Sequence, residues 1–180
     1  VMNYPLKDAI INFVVSGNTS LLRRTVGMLL DHYPKCVLDS LMNILGTHDT
    51  VRVLTALGGV CAYNKEEMAV LKLSAEQRAV ATERLKIAAI LLYTFFGVPC
   101  IYYGDEAGME GYRDPFNRGT YPWGKEDQEL IEWYRTLGKI RKNCPALLES
   151  GMVPFSAEKD CFAFIRLGNC LLYTSDAADE

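Results

Sequence analysis

From Leu6 to Val15 apolar residues fall at helical spacing and the run stops at Gly17, which predicts a first helix. Thr19 or Ser20 is placed to cap a second one running to Tyr33, with Leu21, Leu22, Val26, Leu29 and Leu30 on one face and Pro34 ending it. Cys36-Val37-Leu38 then reads as a connector, and Leu41 to Leu45 as a short buried strand. Val51 to Leu57 predicts a short helix closed by Gly58-Gly59. Ser74 followed three residues on by Gln77 is a capping-box signature, opening a long helix to Phe96 that stops at Gly97. Val98 to Tyr103 is wholly apolar, as in a strand covered on both faces. From Gly104 to Gly124, Gly, Pro, Asp and Arg dominate and predict a long loop.

Glu126 to Lys142 is amphipathic, with Leu130, Ile131, Trp133, Tyr134, Leu137 and Ile140 as candidate core. Past Pro145 the period changes: Gly151 to Phe155 and Cys161 to Arg166 alternate as antiparallel strands do, which places a domain boundary near 145–150. Val1 to Pro5 reads as the tail of a further buried strand. Strands that alternate with helices imply parallel pairing through right-handed crossovers. A doubly wound sheet fits the alternation too, but no glycine-rich phosphate loop follows any strand, which tells against a nucleotide-binding protein.

Composition adds limits. Hydrophobic residues make up 49% of the 180, enough for a sizeable core, and 23% charge with a net of −3 is ordinary for a soluble chain. There is no basic cluster, so nucleic acid is not an expected partner. The longest apolar run, Ile87 to Val98, is too short to cross a bilayer, so no membrane partner is expected either. Six cysteines show no C-x-x-C pair and no His at metal-ligand spacing, so no metal site is expected. Cys36, Cys100 and Cys161 sit among apolar neighbours, as small hydrophobes do, which favours a reducing, cytoplasmic compartment. A leader upstream of Val1 would instead mean secretion. One back-translation of Cys170 to Glu180 closely resembles a transposon-derived sequencing adapter, so residues after Asn169 carry no functional argument.

Candidate chemistry gathers at two strand ends. After Leu41 to Leu45 come Gly46, Thr47, His48, Asp49 and Thr50, then Arg52. A barrel enzyme builds its site by delivering polar groups at the C-terminal tips of buried strands. A carboxylate beside an imidazole suits contacts to sugar hydroxyls, since one accepts and the other can donate. The structural alternative has Asp49 capping the helix from Thr50 and His48 merely packed. Arg52 could fix a catalytic carboxylate, but read in isolation it is a solvated side chain. Asp105 and Glu106 end the next strand. Neighbours in sequence point in different directions, so Glu106 ordering the following loop through backbone bonds is favoured over catalysis by the pair. Within Tyr112 to Trp123, Asp114 and Arg118 can grip vicinal hydroxyls while Tyr121 and Trp123 cover sugar C–H faces. A lid closed by an Asp114–Arg118 pair is the competing account.

Taken together these motifs resemble the α-amylase family of glycoside hydrolases, in its neopullulanase, cyclomaltodextrinase and amylopullulanase-like branch. His48-Asp49 with Thr50 and Arg52 is similar to that family's last catalytic motif, normally Asn-His-Asp; Thr47 stands in place of the Asn, as in the neopullulanase branch. Pro99 to Glu106 is similar to its eighth barrel strand and Val1 to Pro5 to its sixth. Asp114-Pro115-Phe116-Asn117-Arg118 with Tyr121-Pro122-Trp123 resembles the branch's substrate loop.

The resemblance implies an α/β chain. Residues 1–147 would form the C-terminal part, about strands six to eight, of a (β/α)8 TIM barrel; 148–169 would start an all-β sandwich domain, and 170–180 would be the adapter-derived tail. It implies that Asp49 is the transition-state stabiliser and that His48, Asp114 and Arg118 bind substrate. The nucleophilic Asp and the acid/base Glu belong to strands four and five, upstream of Val1, so this stretch alone is expected to be inactive. The implied substrate is an α-glucan such as maltodextrin, pullulan, starch or cyclodextrin. No cofactor is implied here; calcium and homodimer contacts are left to the upstream part. A transglycosylase on the same scaffold and a non-catalytic amylase-like binding protein are the alternatives.

Overall fold

Asn3 precedes the first helix, and its side chain accepts from the Leu6 amide, an N-cap that lets Pro5 sit in the first turn. The helix, α1, spans Tyr4–Ser16 and closes on left-handed Gly17 at φ +69°. In the computed structural model, which describes residues 1–158 and 160–167, α2 (Thr19–His32), α3 (Lys35–Asp39) and strand β1 (Met42–Ile44) follow. Next come α4 (Val53–Leu57), α5 (Lys65–Val70), α6 (Ala75–Thr94) and β2 (Val98–Cys100). A 3-10 turn (Phe116–Arg118) precedes α7 (Gln128–Asn143), α8 (Pro145–Glu149), β3 (Gly151–Glu158) and β4 (Cys161–Leu167).

Strands β1 and β2 pair in parallel, with Met42, Asn43 and Ile44 opposite Val98, Pro99 and Cys100. On the other edge of β1 the Met42 amide donates to Val1 O and the Asn3 amide to Met42 O, so Val1–Asn3 adds a third parallel segment. Buried Asn3 donates through Nδ2 to Asn43 Oδ1 (3.0 Å), and Asn43 Nδ2 donates to Phe96 O. This chain of amides fixes the register of all three segments without leaving a buried polar group unpaired. Leu6, Ile10, Leu22, Val26, Leu54, Leu85 and Leu92 form the core between the strands and the helices that cover them. β3 and β4 pair antiparallel, and Phe162 and Phe164 of β4 lie against Phe95, with ring centroids 6.0 and 5.0 Å away.

Several expectations need correction. Asn18, not Thr19 or Ser20, caps α2, because its side chain reaches the Ser20 amide. The 36–38 connector lies inside helix α3, and α4 begins at Val53 rather than Val51. Helix α5 was not anticipated; Asn64 caps it and Glu66 and Glu67 sit in its first turn. The strand expected over 98–103 is hydrogen-bonded only to Cys100. It is not covered on both faces in this chain, since Val98, Ile101 and Tyr103 are exposed. Ile140 is exposed on α7 rather than in the core. Cys36 and Cys161 are exposed, and only Cys100 is partly buried, so the small-hydrophobe account fails for two of the three. The five described cysteines are free. The expectation for the tail 170–180 falls outside the described residues.

Candidate functional site

The turn after β1 is built by its threonine. Thr47 is 2% exposed; its Oγ1 accepts from the Asp49 amide (3.2 Å) and meets Thr50 Oγ1 (3.2 Å). These bonds close the turn from inside and turn His48 and Asp49 outward. Both side chains are more than half exposed, with His48 Nε2 3.3 Å from Asp49 Oδ1. Asp49 does not cap α4, whose N-cap is Arg52 without a side-chain cap bond. Asp49 instead lines a cavity of about 300 Å³ with Lys7, Thr50, Val51, Ala56 and Arg113.

Arg52 is the largest correction. Far from being solvated, it is 0% exposed. Its Nε donates to Asn117 O (2.9 Å), and its Nη1 donates to Tyr103 O and to Asp105 Oδ1 (3.2 Å). The guanidinium lies over the Tyr102 and Tyr103 rings, 4.3 and 4.6 Å from their centroids, an arrangement that suits the weakly hydrated, planar cation. Burial pushes the Asp105 carboxyl up to about 7; Arg52 works against that shift and Glu106 adds to it. Glu106 Oε2 is buried without a partner among the described residues, while the Asp105 carboxylate accepts from Arg52 rather than from the backbone of the following loop.

Asp114 and Arg118 form an exposed ion pair across the 3-10 turn. Between them Asn117 is wholly buried, and its Nδ2 donates to His48 O and Thr50 O, both at 2.8 Å. The two motifs, far apart in sequence, are therefore fastened to each other. The Tyr121 and Trp123 rings meet at a tilt of 51° with centroids 4.6 Å apart, and Trp123 is 82% exposed. Sequence reasoning quoted Asn117 without a role and missed Lys7 and Arg113. The signal at Arg52 was its position inside an apolar run, Val51 to Leu54, where a charge needs a buried partner. Among the described residues no group of three or more His, Cys, Asp or Glu is placed to hold a metal ion, and no helix is long and apolar enough to cross a membrane.

Parallel strands that alternate with helices and turn polar side chains out at their C-terminal ends are the arrangement of an α/β enzyme, a barrel among them. Residues 1–133 match the model of the alpha-amylase catalytic domain. An amylopullulanase of Thermoanaerobacter thermohydrosulfuricus is 38% identical, the match covering 92% of this chain and 12% of that protein. A maltogenic alpha-amylase of Bacillus acidopullulyticus is 34% identical over 92% of this chain and 26% of its own length. The ligand-free cyclic alpha-maltosyl-(1→6)-maltose hydrolase from Arthrobacter globiformis superposes with a TM-score of 0.76 at 28% identity, covering 93% of this chain and 34% of that one. The chain belongs to the alpha-amylase family of glycoside hydrolases, and it spans about a third or less of each of these relatives.

Proposed function

We propose that this chain is a portion of a retaining α-glucan hydrolase that cleaves α-1,4 glucosidic bonds in maltodextrin, pullulan, starch or cyclodextrin, with α-1,6 bonds as the second candidate linkage. It would supply about strands six to eight of the (β/α)8 barrel and the start of an all-β domain from β3 onward. The observation that carries the reading is the outward-facing His48–Asp49 pair at the end of β1, fastened to the loop that presents Asp114 and Arg118. Glycoside cleavage passes through an oxocarbenium-like state, and hydrogen bonds to the hydroxyls beside the reacting carbon tighten as positive charge develops. Asp49 would accept from those hydroxyls and stabilise that charge, while His48 would bind the same sugar. Asp114 and Arg118 would hold a more distant glucose, their ion pair presenting a carboxylate and a planar donor side by side. The nucleophile and the acid/base would come from other strands of the complete barrel.

The test is to express the complete reading frame from the source DNA and assay release of reducing ends from pullulan, maltodextrin and β-cyclodextrin. Activity on at least one, with Asp49→Asn lowering kcat on the order of 10²- to 10³-fold at unchanged stability, is expected, the scale of removing one preorganised electrostatic group. A complete, folded protein inactive on all three would leave a glucan-binding protein without catalysis. An active protein indifferent to Asp49→Asn would remove the stabiliser role.

A further inference from the structure

The side chains that face sugar in this reading are all exposed, yet the groups behind them are among the most buried polar groups in the chain. Arg52 and Asn117 are 0% exposed and Asp105 is 2% exposed. Three separate segments meet there. The turn 46–52 carries Asp49, the stretch after β2 supplies Tyr102, Tyr103 and Asp105, and the loop 111–118 carries Asp114 and Arg118. Arg52, at the end of the first, binds the other two: its backbone N–H donates to Gly111 O (2.9 Å), its Nε to Asn117 O, and its Nη1 to Tyr103 O and Asp105. Asn117 answers in the opposite direction, donating to the carbonyls of His48 and Thr50, the residues that bracket Asp49.

This arrangement is costly for a mere packing device. A buried ion pair seldom stabilises more than apolar residues of similar volume would. Here Arg52 Nη2 and Asn117 Oδ1 are also left buried without partners among the described residues. Each such atom has given up its hydrogen bonds to water without replacement, which destabilises the fold. What the arrangement does provide is geometry: a two-way lock, side chain to backbone in each direction, between the segment with Asp49 and the segment with Asp114 and Arg118.

We infer that Asn117 and Arg52 are positioning residues that make the Asp49 turn and the Asp114–Arg118 loop one rigid unit, so that the charge-stabilising carboxylate and the distant-glucose contacts keep a fixed separation. This rests on the reading of Asp49 given above. Asn117 touches no sugar in it; the residue acts through the backbone on either side of Asp49. Releasing that backbone lets Asp49 drift, and a misplacement of about 1 Å costs on the order of 10²-fold in rate. Releasing the other side frees Asp114 and Arg118, which raises KM on long oligosaccharides.

The experiment is a double-mutant cycle in the complete enzyme with Asp49→Asn, Asn117→Ala and both together, with melting temperatures recorded alongside. Asn117→Ala alone is expected to lower kcat about 10²-fold and to raise KM more for maltoheptaose than for maltotriose. In the Asp49→Asn background it should cost under about threefold in kcat, because residues acting as one unit are not additive. Full additivity, or an unchanged kcat for Asn117→Ala, overturns the inference. Loss of both effects through an inert Asp49→Asn points instead to failure of the underlying reading. Should Asn117→Ala not fold, Asn117→Ser, which keeps one donor, enters the same cycle and must recover part of kcat; no recovery counts against positioning.

Discussion

Two glycines make a matched pair for measuring how tightly the buried arrangement is held. Neither Gly27 nor Gly46 is among the positive-φ glycines, so alanine at either is conformationally acceptable. On that ground each substitution should stabilise by about 0.4–1 kcal/mol, through a less flexible unfolded chain. At Gly27, inside α2, nothing lies within 4 Å of an added Cβ, and the gain should be realised. At Gly46 an added Cβ would lie 2.1 Å from Asp105 Oδ2 and 2.9 Å from its Cγ. The carboxyl has no solvent side to swing into, since Asp105 is 2% exposed and its Oδ1 faces Arg52 Nη1 at 3.2 Å. Relief requires parting the two, and separating a buried pair costs about 3–5 kcal/mol. The contact outweighs the entropy gain, leaving Gly46→Ala about 2–4 kcal/mol less stable. Urea unfolding at pH 8, above the carboxyl's value of about 7, should move the midpoint down for Gly46→Ala and up for Gly27→Ala at constant slope. The drop should be on the order of 1 M. A midpoint for Gly46→Ala at or above the parent's would mean that Asp105 yields freely, and the lock around Asn117 would lose its rigid backing.

The pH dependence of stability follows from the same carboxyl. Its folded value of about 7 lies above the ordinary 3.8, with Arg52, Glu106 and Tyr134 as its charged or titratable neighbours, so the folded chain keeps a proton that the unfolded chain releases. The stability this confers is full below about pH 3.8 and is lost as pH rises through about 7. The stability of the parent relative to Asp105→Asn should therefore fall across that window; a flat difference would show that Arg52 holds the carboxylate ionised. Arg118→Ala should weaken oligosaccharide binding in the complete enzyme more than it slows the chemistry, while shifting stability by less than about 1 kcal/mol, because the Asp114–Arg118 pair is exposed. An unchanged KM on long maltodextrin would remove the substrate-loop role.

The sequence by itself determined the α/β alternation, the capping box of α6, the change of period before β3, and the family, because each is written in local spacing and in motifs a few residues long. Helix α5 escaped it: six residues without one buried side chain carry no hydrophobic period to detect. The exposed faces of Val98, Ile101 and Tyr103 escaped it as well, since an apolar run says what a strand would bury, not whether the covering strands are present in the chain. The candidate site divides along the same line. His48, Asp49, Asp114 and Arg118 stand out as candidates from motifs a few residues long, and folding leaves all four exposed. The fates of Arg52 and Asn117 were decided only in three dimensions. A guanidinium followed by an apolar helix reads as solvated until folding brings Asp105, Tyr103 O and Asn117 O around it, from positions 51 to 65 residues away. Local sequence sets which backbone states are affordable; a buried charge is tolerable only when distant partners converge on it, and that convergence exists only in the tertiary structure.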